Sequence, residues 1–368
     1  MWTIWKEELY KISSRKIIWL GVFLLLAFAT IRLYGECTHY TTVIDGNTYQ
    51  GPEAIRKDKE LTIRFRGLLT LEKIRQIYNE YGFFYYDADT GNAAGNYLNR
   101  FITEEFTNFR QTDGVDPEEI HFRKGADWEN NSAYLLDRKV RFDYVYGWND
   151  FAEMYVLVIV ALFVILILGI APSFAEEYQL KTADILRTTR RGKGAGIWMK
   201  ILAALCFTVT LTCGACIYLW CIYLAVYGVQ GLDASAILLS FATPYGYCPE
   251  NVLGFFLYIT FLGISGAILL TGIEMLISAL CKNSFLALIF SLAVYLFPVL
   301  WMNVLRFMCP FGQTILSHIT HFMVSMPVYL PVSTGFALPS EQMVIHLCTA
   351  LIVTAGGTYM SYHRYRNA

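Results

Sequence analysis

Charged residues are scarce in this chain of 368 residues: they make up 16% of it, whereas soluble domains usually carry about 25%. Hydrophobic residues make up 55%, and the mean hydropathy is +0.41. The scarcity is uneven, because residues 35–150 have the composition of a soluble domain while residues 151–362 are mostly apolar, with charges confined to short gaps. This pattern is typical of a polytopic membrane protein with one large domain outside the bilayer.

Several chemical signatures are absent as well. No Lys/Arg-rich patch with interleaved aromatic residues occurs, which argues against nucleic-acid binding. No Walker A motif is present, since the nearest stretch, Gly192-Lys193-Gly194, lacks both the spacing and the Ser or Thr. The pair Cys213-x-x-Cys216 has metal-like spacing but lies inside an apolar run, where cysteine is a small packing residue. We therefore expect no catalytic residue, nucleotide site, metal or cofactor in the chain itself.

Six apolar runs have about the length that crosses a bilayer, which is roughly 20 residues. They cover residues 17–34, 152–171, 197–227, 252–281, 284–307 and 342–362. The third and fourth are long enough to tilt or to protrude from the membrane. The sequence therefore predicts an all-α polytopic membrane protein with six transmembrane helices.

Basic residues indicate how these spans are oriented. The short loops 228–251 and 308–341 contain no Lys or Arg, whereas the segments predicted on the other side of the membrane do. Because Lys and Arg of short loops favour the cytoplasm, we expect both termini to be cytoplasmic. The segment 35–151 carries many basic residues, but long domains translocate largely regardless of charge, so it is predicted to be extracytoplasmic.

Residues 1–16 precede the first span and have a helical pattern of their own. The pattern predicts an amphipathic helix lying in the membrane interface; a solvated basic leader is the alternative. The apolar residues of that helix are Trp2, Trp5, Leu9 and Ile12. The basic start, the apolar run and Ala27-Phe28-Ala29 also fit a signal peptide with its cleavage site. We expect the first span to be retained.

The extracytoplasmic domain is predicted to be mainly helical. Leu71–Tyr81 has apolar residues at helical spacing, Asp116-Pro117 is typical of a helix start, and the alternation over Val140–Tyr146 predicts a short strand or extended return to the membrane. His39 and His121 are isolated and are interpreted as surface residues. Three cysteines fall in predicted outside segments, namely Cys37, Cys248 and Cys309, and the sequence does not decide whether two of them form a disulfide.

The segment 172–196 is the longest predicted cytoplasmic loop. Glu176 and Glu177 follow the second span, a short helix is predicted over roughly Thr182–Thr188, and Arg190 and Arg191 come next. A basic loop near anionic lipid would explain the positive charges. It would explain neither the paired glutamates nor the short helix.

Three motifs in this order resemble the permease subunit of a type-2 ATP-binding-cassette (ABC) transporter, in the bacterial group that includes lantibiotic-immunity and bacitracin-type exporters. The first is the leader with Glu8-Leu9-Tyr10-Lys11-Ile12. The second comprises Phe174-Ala175-Glu176-Glu177-Tyr178, then Ile185-Leu186-Arg187-Thr188-Thr189-Arg190-Arg191-Gly192, then Lys200-Ile201. The third is Ser278-Ala279-Leu280-Cys281-Lys282-Asn283-Ser284. The resemblance covers the membrane part and not the outside domain, which lies between spans one and two here, whereas better-known members of the fold carry more mass after span five.

The resemblance implies that the loop 172–196 forms a coupling helix docked on a separate ATPase subunit, which would hold ATP and Mg²⁺. The implied docking surface comprises Glu176, Glu177, Tyr178, Thr182, Ile185, Leu186, Thr188, Arg190 and Arg191. The leader would be the family's interfacial connecting helix. Two copies, or one copy and a paralogue, would enclose a pathway through a bacterial plasma membrane. A hydrophobic or amphipathic substrate, such as an antimicrobial peptide or a lipid, would be exported.

Polar residues at membrane depth are candidates for function because they are costly there. Glu274 lies seven residues before Cys281, so it is predicted roughly 10 Å from the inner end of its helix. It would face a central cavity or partner another span, or else hydrogen-bond near the inner headgroups. The segment 308–341 is broken by prolines and is expected to lie outside or to re-enter the outer leaflet.

Two other classes of function stay open. A membrane-anchored sensor or immunity protein would bind a ligand through residues 35–151 without transport. An intramembrane enzyme is the third class, but no His, Asp, Glu or Ser pair has a convincing spacing inside the spans. The leading hypothesis remains a non-catalytic permease subunit.

Overall fold

The computed structural model describes residues 1–86, 93–108, 117–123, 135–136, 139–189, 192–239, 250–300 and 340–367, with the backbone alone at 93–94, 117, 298–300 and 340–346. The described chain is mostly helical and divides into two compact units. The helical unit comprises Met1–Phe28, Met154–Tyr218 and Tyr258–Ala368. The mixed unit comprises Ala29–Glu153 and Leu219–Leu257.

The α-helices of the described part of the chain are numbered α1 to α12 in chain order. They are α1 (Trp2–Ser13), α2 (Lys16–His39), α3 (Pro52–Phe65), α4 (Leu71–Tyr81), α5 (Tyr97–Phe106), α6 (Tyr146–Ile170), α7 (Pro172–Gln179), α8 (Ala183–Thr188), α9 (Ile197–Tyr227), α10 (Val252–Leu280), α11 (Ser284–Leu300) and α12 (Ser340–Asn367). Short helices of other types cover Pro117–Glu119, Gly192–Gly196 and Ala236–Leu238.

Four helical stretches of the described residues are long and apolar enough to cross a membrane. They are Lys16–His39, Tyr146–Gln179, Gly192–Tyr227 and Val252–Leu280. A shorter apolar helix covers Ser284–Phe297. These stretches support a membrane-embedded protein, while the six-span layout stays a prediction. The segment 301–339, which includes the end of the predicted fifth span and most of the predicted re-entrant segment, lies outside the described residues.

Small and hydroxylated residues bring the helices of the helical unit close together. A Cβ placed on Gly357 would lie 2.4 Å from the carbonyl oxygen of Gly272, so α12 and α10 meet backbone to backbone. The hydroxyls of Thr208 on α9 and Thr271 on α10 are 2.7 Å apart and form a buried hydrogen bond. The Tyr155 hydroxyl of α6 donates to the Ile259 carbonyl at 2.7 Å. Packing and polar contacts of this kind replace the hydrophobic drive that is missing between helices in lipid.

The mixed unit contains more strand than the sequence pattern predicts. Strand β1 (Thr41–Ile44) pairs with β2 (Asn47–Gln50), β3 (Gly67–Leu68) with β6 (Arg141–Phe142), and β4 (Tyr85–Tyr86) with β5 (Ala93–Ala94), all antiparallel. Of these strands, only β6 falls in a predicted extended segment, so three two-stranded sheets accompany the helices α3, α4 and α5. The other strands are too short for their alternation to be read from the sequence.

Two sequence predictions of local structure are confirmed. Helix α4 has the bounds Leu71–Tyr81, and its N-cap Thr70 accepts a hydrogen bond from the Lys73 backbone N–H. Helix α8 follows Thr182 as predicted. The predicted start at Asp116-Pro117 appears as a single short turn over Pro117–Glu119, and Asp116 lies outside the described residues.

The helices that contain the first two predicted spans are longer than the hydropathy pattern predicts. Helix α2 continues to His39 and α6 begins at Tyr146. The first turns of α6 are stabilised by protein contacts in the mixed unit, since Trp148 is only 1% exposed and its ring packs against Phe151, Trp220 and Phe256.

Candidate functional site

The chain turns sharply at the end of α6, and a serine from another helix stabilises the turn. Pro172 is the first residue of α7, where its missing N–H costs nothing. The hydroxyl oxygen of Ser278, on α10, accepts hydrogen bonds from the backbone N–H groups of Phe174 at 2.8 Å and Ala175 at 3.2 Å. These two N–H groups have no partner within their own helix. Helix α10 therefore determines where α7 begins.

A residue in the left-handed region separates α7 from α8. Lys181 has φ +58°, and its N–H donates to the Tyr178 carbonyl at 3.1 Å. The N–H of Thr182 donates to the Glu177 carbonyl at 3.0 Å. This is the hydrogen-bond pattern with which helices commonly end, and it re-aims the chain so that α8 starts at once.

The segment α7–α8 presents apolar side chains that no described residue covers. Leu180 is 64% exposed, Ile185 66% and Leu186 38%. Tyr178 is half-buried, because the Arg187 guanidinium lies over its ring. Ile185, Leu186, Thr188 and Glu176 are exposed as a docking surface requires. Arg190 and Arg191 lie outside the described residues.

Glu177 is placed differently from the rest of the predicted docking surface. It is 7% exposed, and its carboxylate points into the helical unit. One oxygen forms an ion pair with the Lys200 ammonium of α9 and lies 3.4 Å from the Lys11 ammonium of α1. The other accepts a hydrogen bond from the Tyr365 hydroxyl of α12 at 2.5 Å. The structure thus corrects the assignment of Glu177 to the exposed face and makes it a junction of four helices.

We call Glu8, Lys11, Glu177, Lys200 and Tyr365 the Glu177 cluster. Lys200 is 4% exposed; its ammonium also donates to the Ser173 carbonyl at 3.1 Å and lies 3.7 Å from a Glu8 oxygen. Two carboxylates face two ammonium groups, so the formal charge of the cluster is zero. A buried charge needs such compensation, because desolvation costs several kcal/mol per ion.

The pKa of Lys11 shows how the carboxylates of the cluster act on one of its ammonium groups. Partial burial lowers the pKa of the Lys11 ammonium, but the carboxylates of Glu8 and Glu177 raise it by more, so its pKa lies above the ordinary value. The Lys11–Glu8 distance is 2.6 Å. Lys11 is therefore charged at every physiological pH and holds α1 to the cluster.

A second tie joins the end of α1 to α7. The Arg15 guanidinium donates to the Gly169 carbonyl at 2.8 Å and lies 2.5 Å from a carboxylate oxygen of Glu176. Because Glu176 is half-exposed, this pair is worth less than the buried pairs of Glu177. The two neighbouring glutamates thus have different surroundings.

The residues predicted to form the interfacial face of α1 are only partly exposed. Trp2 is 65% exposed and stacks on Trp5 with 4.6 Å between ring centroids, whereas Ile12 is 3% exposed and packs inside the helical unit. Leu9 is half-buried. An aromatic pair at the exposed end is compatible with an interface, and the position of α1 in a membrane stays a prediction.

The mixed unit holds a separate buried acid. Asp58 is 1% exposed and accepts hydrogen bonds from the Tyr40 hydroxyl at 2.6 Å, the Thr42 hydroxyl at 2.8 Å and the Tyr97 backbone N–H at 3.2 Å. Burial raises the pKa of Asp58 to about 6, and the three donors limit the rise. The cluster ties β1, α3 and α5 together.

A cavity of about 640 Å³ also lies in the mixed unit, within the size range of ligand pockets. Arg32 pairs with Glu153 at 2.7 Å along one side, and Arg100 pairs with Glu104 at 2.8 Å. The acidic lining residues are Glu36, Glu104, Glu105, Asp150 and Glu153, and the larger apolar ones are Phe101, Leu135, Val145, Ile237, Leu238 and Leu239. Acidic groups outnumber the two arginines, so the cavity is negatively charged and has an apolar part of its wall.

No protein-family model, curated protein or solved structure matches this chain. Among the described residues, no group of three or more His, Cys, Asp or Glu side chains is placed to hold a metal ion. The seven cysteines that the structure describes are unpaired, Cys37 included, whereas Cys248 and Cys309 lie outside the described residues.

Sequence reasoning missed the partners of Glu177. The sequence singles out Lys200 only within the motif Lys200-Ile201, and it does not single out Tyr365. One signal was present: Lys200 is followed by a long apolar run, and a lysine at the buried end of a span needs a carboxylate partner. Which carboxylate it meets depends on the fold, since Glu177 and Lys200 are separated by the whole of α8.

Proposed function

We propose that this chain is the membrane-spanning permease subunit of an ABC transporter. The observation that carries the proposal is the exposed apolar side of α7–α8, with Ile185 66% and Leu180 64% exposed, on a segment anchored to α1, α9 and α12 through Glu177. A surface of this kind fits a protein partner. The resemblance of the motifs identifies that partner as an ABC ATPase.

The proposed mechanism follows from the two sides of the segment. The exposed apolar side chains insert into the ATPase subunit; they are Leu180, Ile185 and Leu186. The same subunit binds ATP and Mg²⁺ at a site of its own. When the ATPase subunits close on ATP, they displace α7–α8. The Glu177 cluster passes this displacement to α1, α9 and α12, and Ser278 passes it to α10. Because each of these contacts is a charged or capping interaction with one favoured geometry, the helices follow the segment instead of slipping past it.

The remaining features of the proposal come from the resemblance and the charge distribution. Six spans cross a bacterial plasma membrane with both termini in the cytoplasm, and residues 35–151 lie outside the cell. The permease works as a pair, either two copies or one copy with a paralogue. A hydrophobic or amphipathic substrate, peptide or lipid, is exported. The chain supplies the pathway and no catalytic residue.

The test is co-expression and co-purification of the full chain with a candidate ABC ATPase subunit, followed by a binding titration in nanodiscs. Ile185→Asp places a charge in the middle of the proposed interface, and we expect it to weaken binding about tenfold or more. Ile63→Asp is the matched control, since Ile63 is 59% exposed on α3 in the mixed unit. Equal affinity of the two variants, or the absence of any bound ATPase, would contradict the proposed function.

The cavity in the mixed unit favours a second candidate, a membrane-anchored receptor for an amphipathic cation. Acidic residues outnumber basic ones in the lining of the cavity, and part of its wall is apolar, which suits such a ligand. The test is titration of the full chain with hexyltrimethylammonium and with hexanoate, in the wild type and in Glu36→Gln. Binding of the cation alone, weakened by the substitution and without any ATPase in the purified protein, would favour the receptor. Equal binding of both probes would exclude it.

A further inference from the structure

Glu274 is a buried acid that the proposed function does not use. It is 0% exposed, and it is the sole charged residue of α10. The hydroxyl of Ser291, on α11 and also 0% exposed, lies beside the carboxyl group. Neither carboxyl oxygen of Glu274 nor the Ser291 hydroxyl makes a hydrogen bond of normal geometry within the described residues. Among the described residues, these three buried oxygens thus have no polar neighbour other than one another.

The neighbouring polar residues on the same side of α10 are satisfied. Thr271, three residues before Glu274, bonds to Thr208 of α9. Ser278, four residues after it, bonds to the start of α7. Residues three and four apart share a helix face, so Glu274 lies between two side chains that each hold a neighbouring helix. Glu274 therefore differs from Thr271 and Ser278 in being an acid without a hydrogen bond to a neighbouring helix, and not in its position on α10.

No described cation neutralises Glu274. No Lys, Arg or His nitrogen of the described side chains lies within ion-pair distance of it, and the one ionisable residue of α11, Tyr295, donates to the Val160 carbonyl at 3.2 Å. Several ionisable groups of the other packed helices have partners elsewhere: Tyr155 of α6 donates to the Ile259 carbonyl, Lys200 of α9 pairs with Glu177, and Glu176 of α7 pairs with Arg15. On α12, Tyr365 donates to Glu177, Arg366 contacts Tyr362, His363 stacks on Tyr359, and Arg364 lies near Tyr178.

An isolated carboxylate in such surroundings would be very costly, whereas a neutral carboxylic acid would cost only an unmade hydrogen bond. A metal ion such as Ca²⁺ takes six or more oxygen ligands, and Glu274 and Ser291 together offer three.

We propose that Glu274 is a proton-binding site at membrane depth, and that its proton controls the packing of α10 against α7. With the proton bound, the carboxyl group is neutral and the helices pack as described. When the proton leaves, the carboxylate must reach water or a cation, so α10 shifts. Because Ser278 is one turn away and holds the start of α7, the shift loosens the α7–α8 segment. This inference stands whether or not an ATPase binds that segment.

The first test is labelling of the full chain in liposomes with dicyclohexylcarbodiimide, an apolar reagent for neutral carboxylic acids. The acid proton moves to a carbodiimide nitrogen as the carboxyl oxygen adds to the central carbon, and rearrangement leaves a stable N-acylurea that mass spectrometry detects. We expect Glu274 to be labelled, with less label at alkaline pH, and Glu274→Gln to give none at this position. Absence of label on the wild type, or protection by sodium chloride relative to choline chloride at equal ionic strength, would overturn the proton assignment.

The second test measures the link to α7–α8. The rate of trypsin cleavage after Lys181, which is exposed between the two helices, is compared in the wild type and in Glu274→Gln at each pH. The permanently neutral variant cancels the pH dependence of trypsin itself. We expect the ratio of the wild-type rate to the variant rate to rise with pH. A ratio that stays constant from neutral to alkaline pH would overturn the proposed control of the segment.

Discussion

Glu177 and Glu176 are adjacent acids with opposite surroundings, and this contrast allows a sharp prediction. Changing Glu177 to Gln removes the negative charge but keeps the size of the side chain. The Lys200 ammonium, 4% exposed, then loses its nearest carboxylate and keeps only the Glu8 oxygen 3.7 Å away. Removing one partner of a buried ion pair typically costs about 3–5 kcal/mol. We expect the free energy of unfolding to fall by about that amount, which raises the unfolded fraction more than a hundredfold.

The matched control is Glu176→Gln. Its ion pair with Arg15 is half-exposed on the glutamate side, so its loss should cost under about 1 kcal/mol. Chemical unfolding of the two variants in the same detergent, followed by tryptophan fluorescence, gives the comparison. A double variant, Glu177→Gln with Lys200→Met, should recover most of the lost stability, since an apolar side chain of similar size replaces the unpaired charge.

The reasoning would be refuted if Glu177→Gln and Glu176→Gln lost the same stability, or if the double variant were less stable than Glu177→Gln alone. Either result would mean that water or the Glu8 carboxylate is enough to compensate the charge of Lys200 without Glu177. The cluster would then be a surface feature, and its role in passing movement between helices would lose its physical basis.

Two further predictions concern other parts of the chain. Because Asp58 has a pKa of about 6 in the fold and an ordinary value of 3.8, the folded state retains a proton over this interval that the unfolded state has lost. The free energy of unfolding should therefore fall as pH rises from about 4 to about 6, by up to roughly 3 kcal/mol; Asp58→Asn should reduce this dependence, and equal slopes for the two proteins would contradict it. Gly357→Leu should force α12 away from α10, because even a Cβ at this position would lie 2.4 Å from a backbone oxygen. It should lower the melting temperature by more than Gly356→Leu, since a Cβ on Gly356 meets no atom within 4 Å. Similar losses for the two variants would refute the close contact.

Local structure was predictable where a strong pattern and a cap coincide. Helix α4 was predicted to its end residues because five apolar residues recur at helical spacing. The short strands β3, β4 and β5 have two residues each, so no alternation exists to be recognised. Their pairing depends on partners distant in the chain, as when Gly67 of β3 pairs with Phe142 of β6.

The candidate site was predictable as a segment but not as a set of contacts. Composition and spacing predict α8 after Thr182, and the sequence shows Ile185 and Leu186 as apolar residues within a charged loop. They say nothing about which of two adjacent glutamates is buried, because a helix end exposes or buries a side chain according to what packs beside it. The neighbours of Glu177 come from residues 11, 200 and 365, and only the tertiary structure brings them together.

The sequence by itself determined that the chain is embedded in a membrane, since apolar runs of bilayer length follow from composition alone, and it located the acid at Glu274 and the charged loop near Glu177. Only the tertiary structure decided that Glu177 is a buried junction with Lys200 and that Glu274 has no described partner. The physical reason is the separation along the chain of the residues that determine each property. Hydropathy and helical spacing are properties of neighbouring residues, whereas the compensation of a buried charge depends on groups that the fold brings from far along the chain.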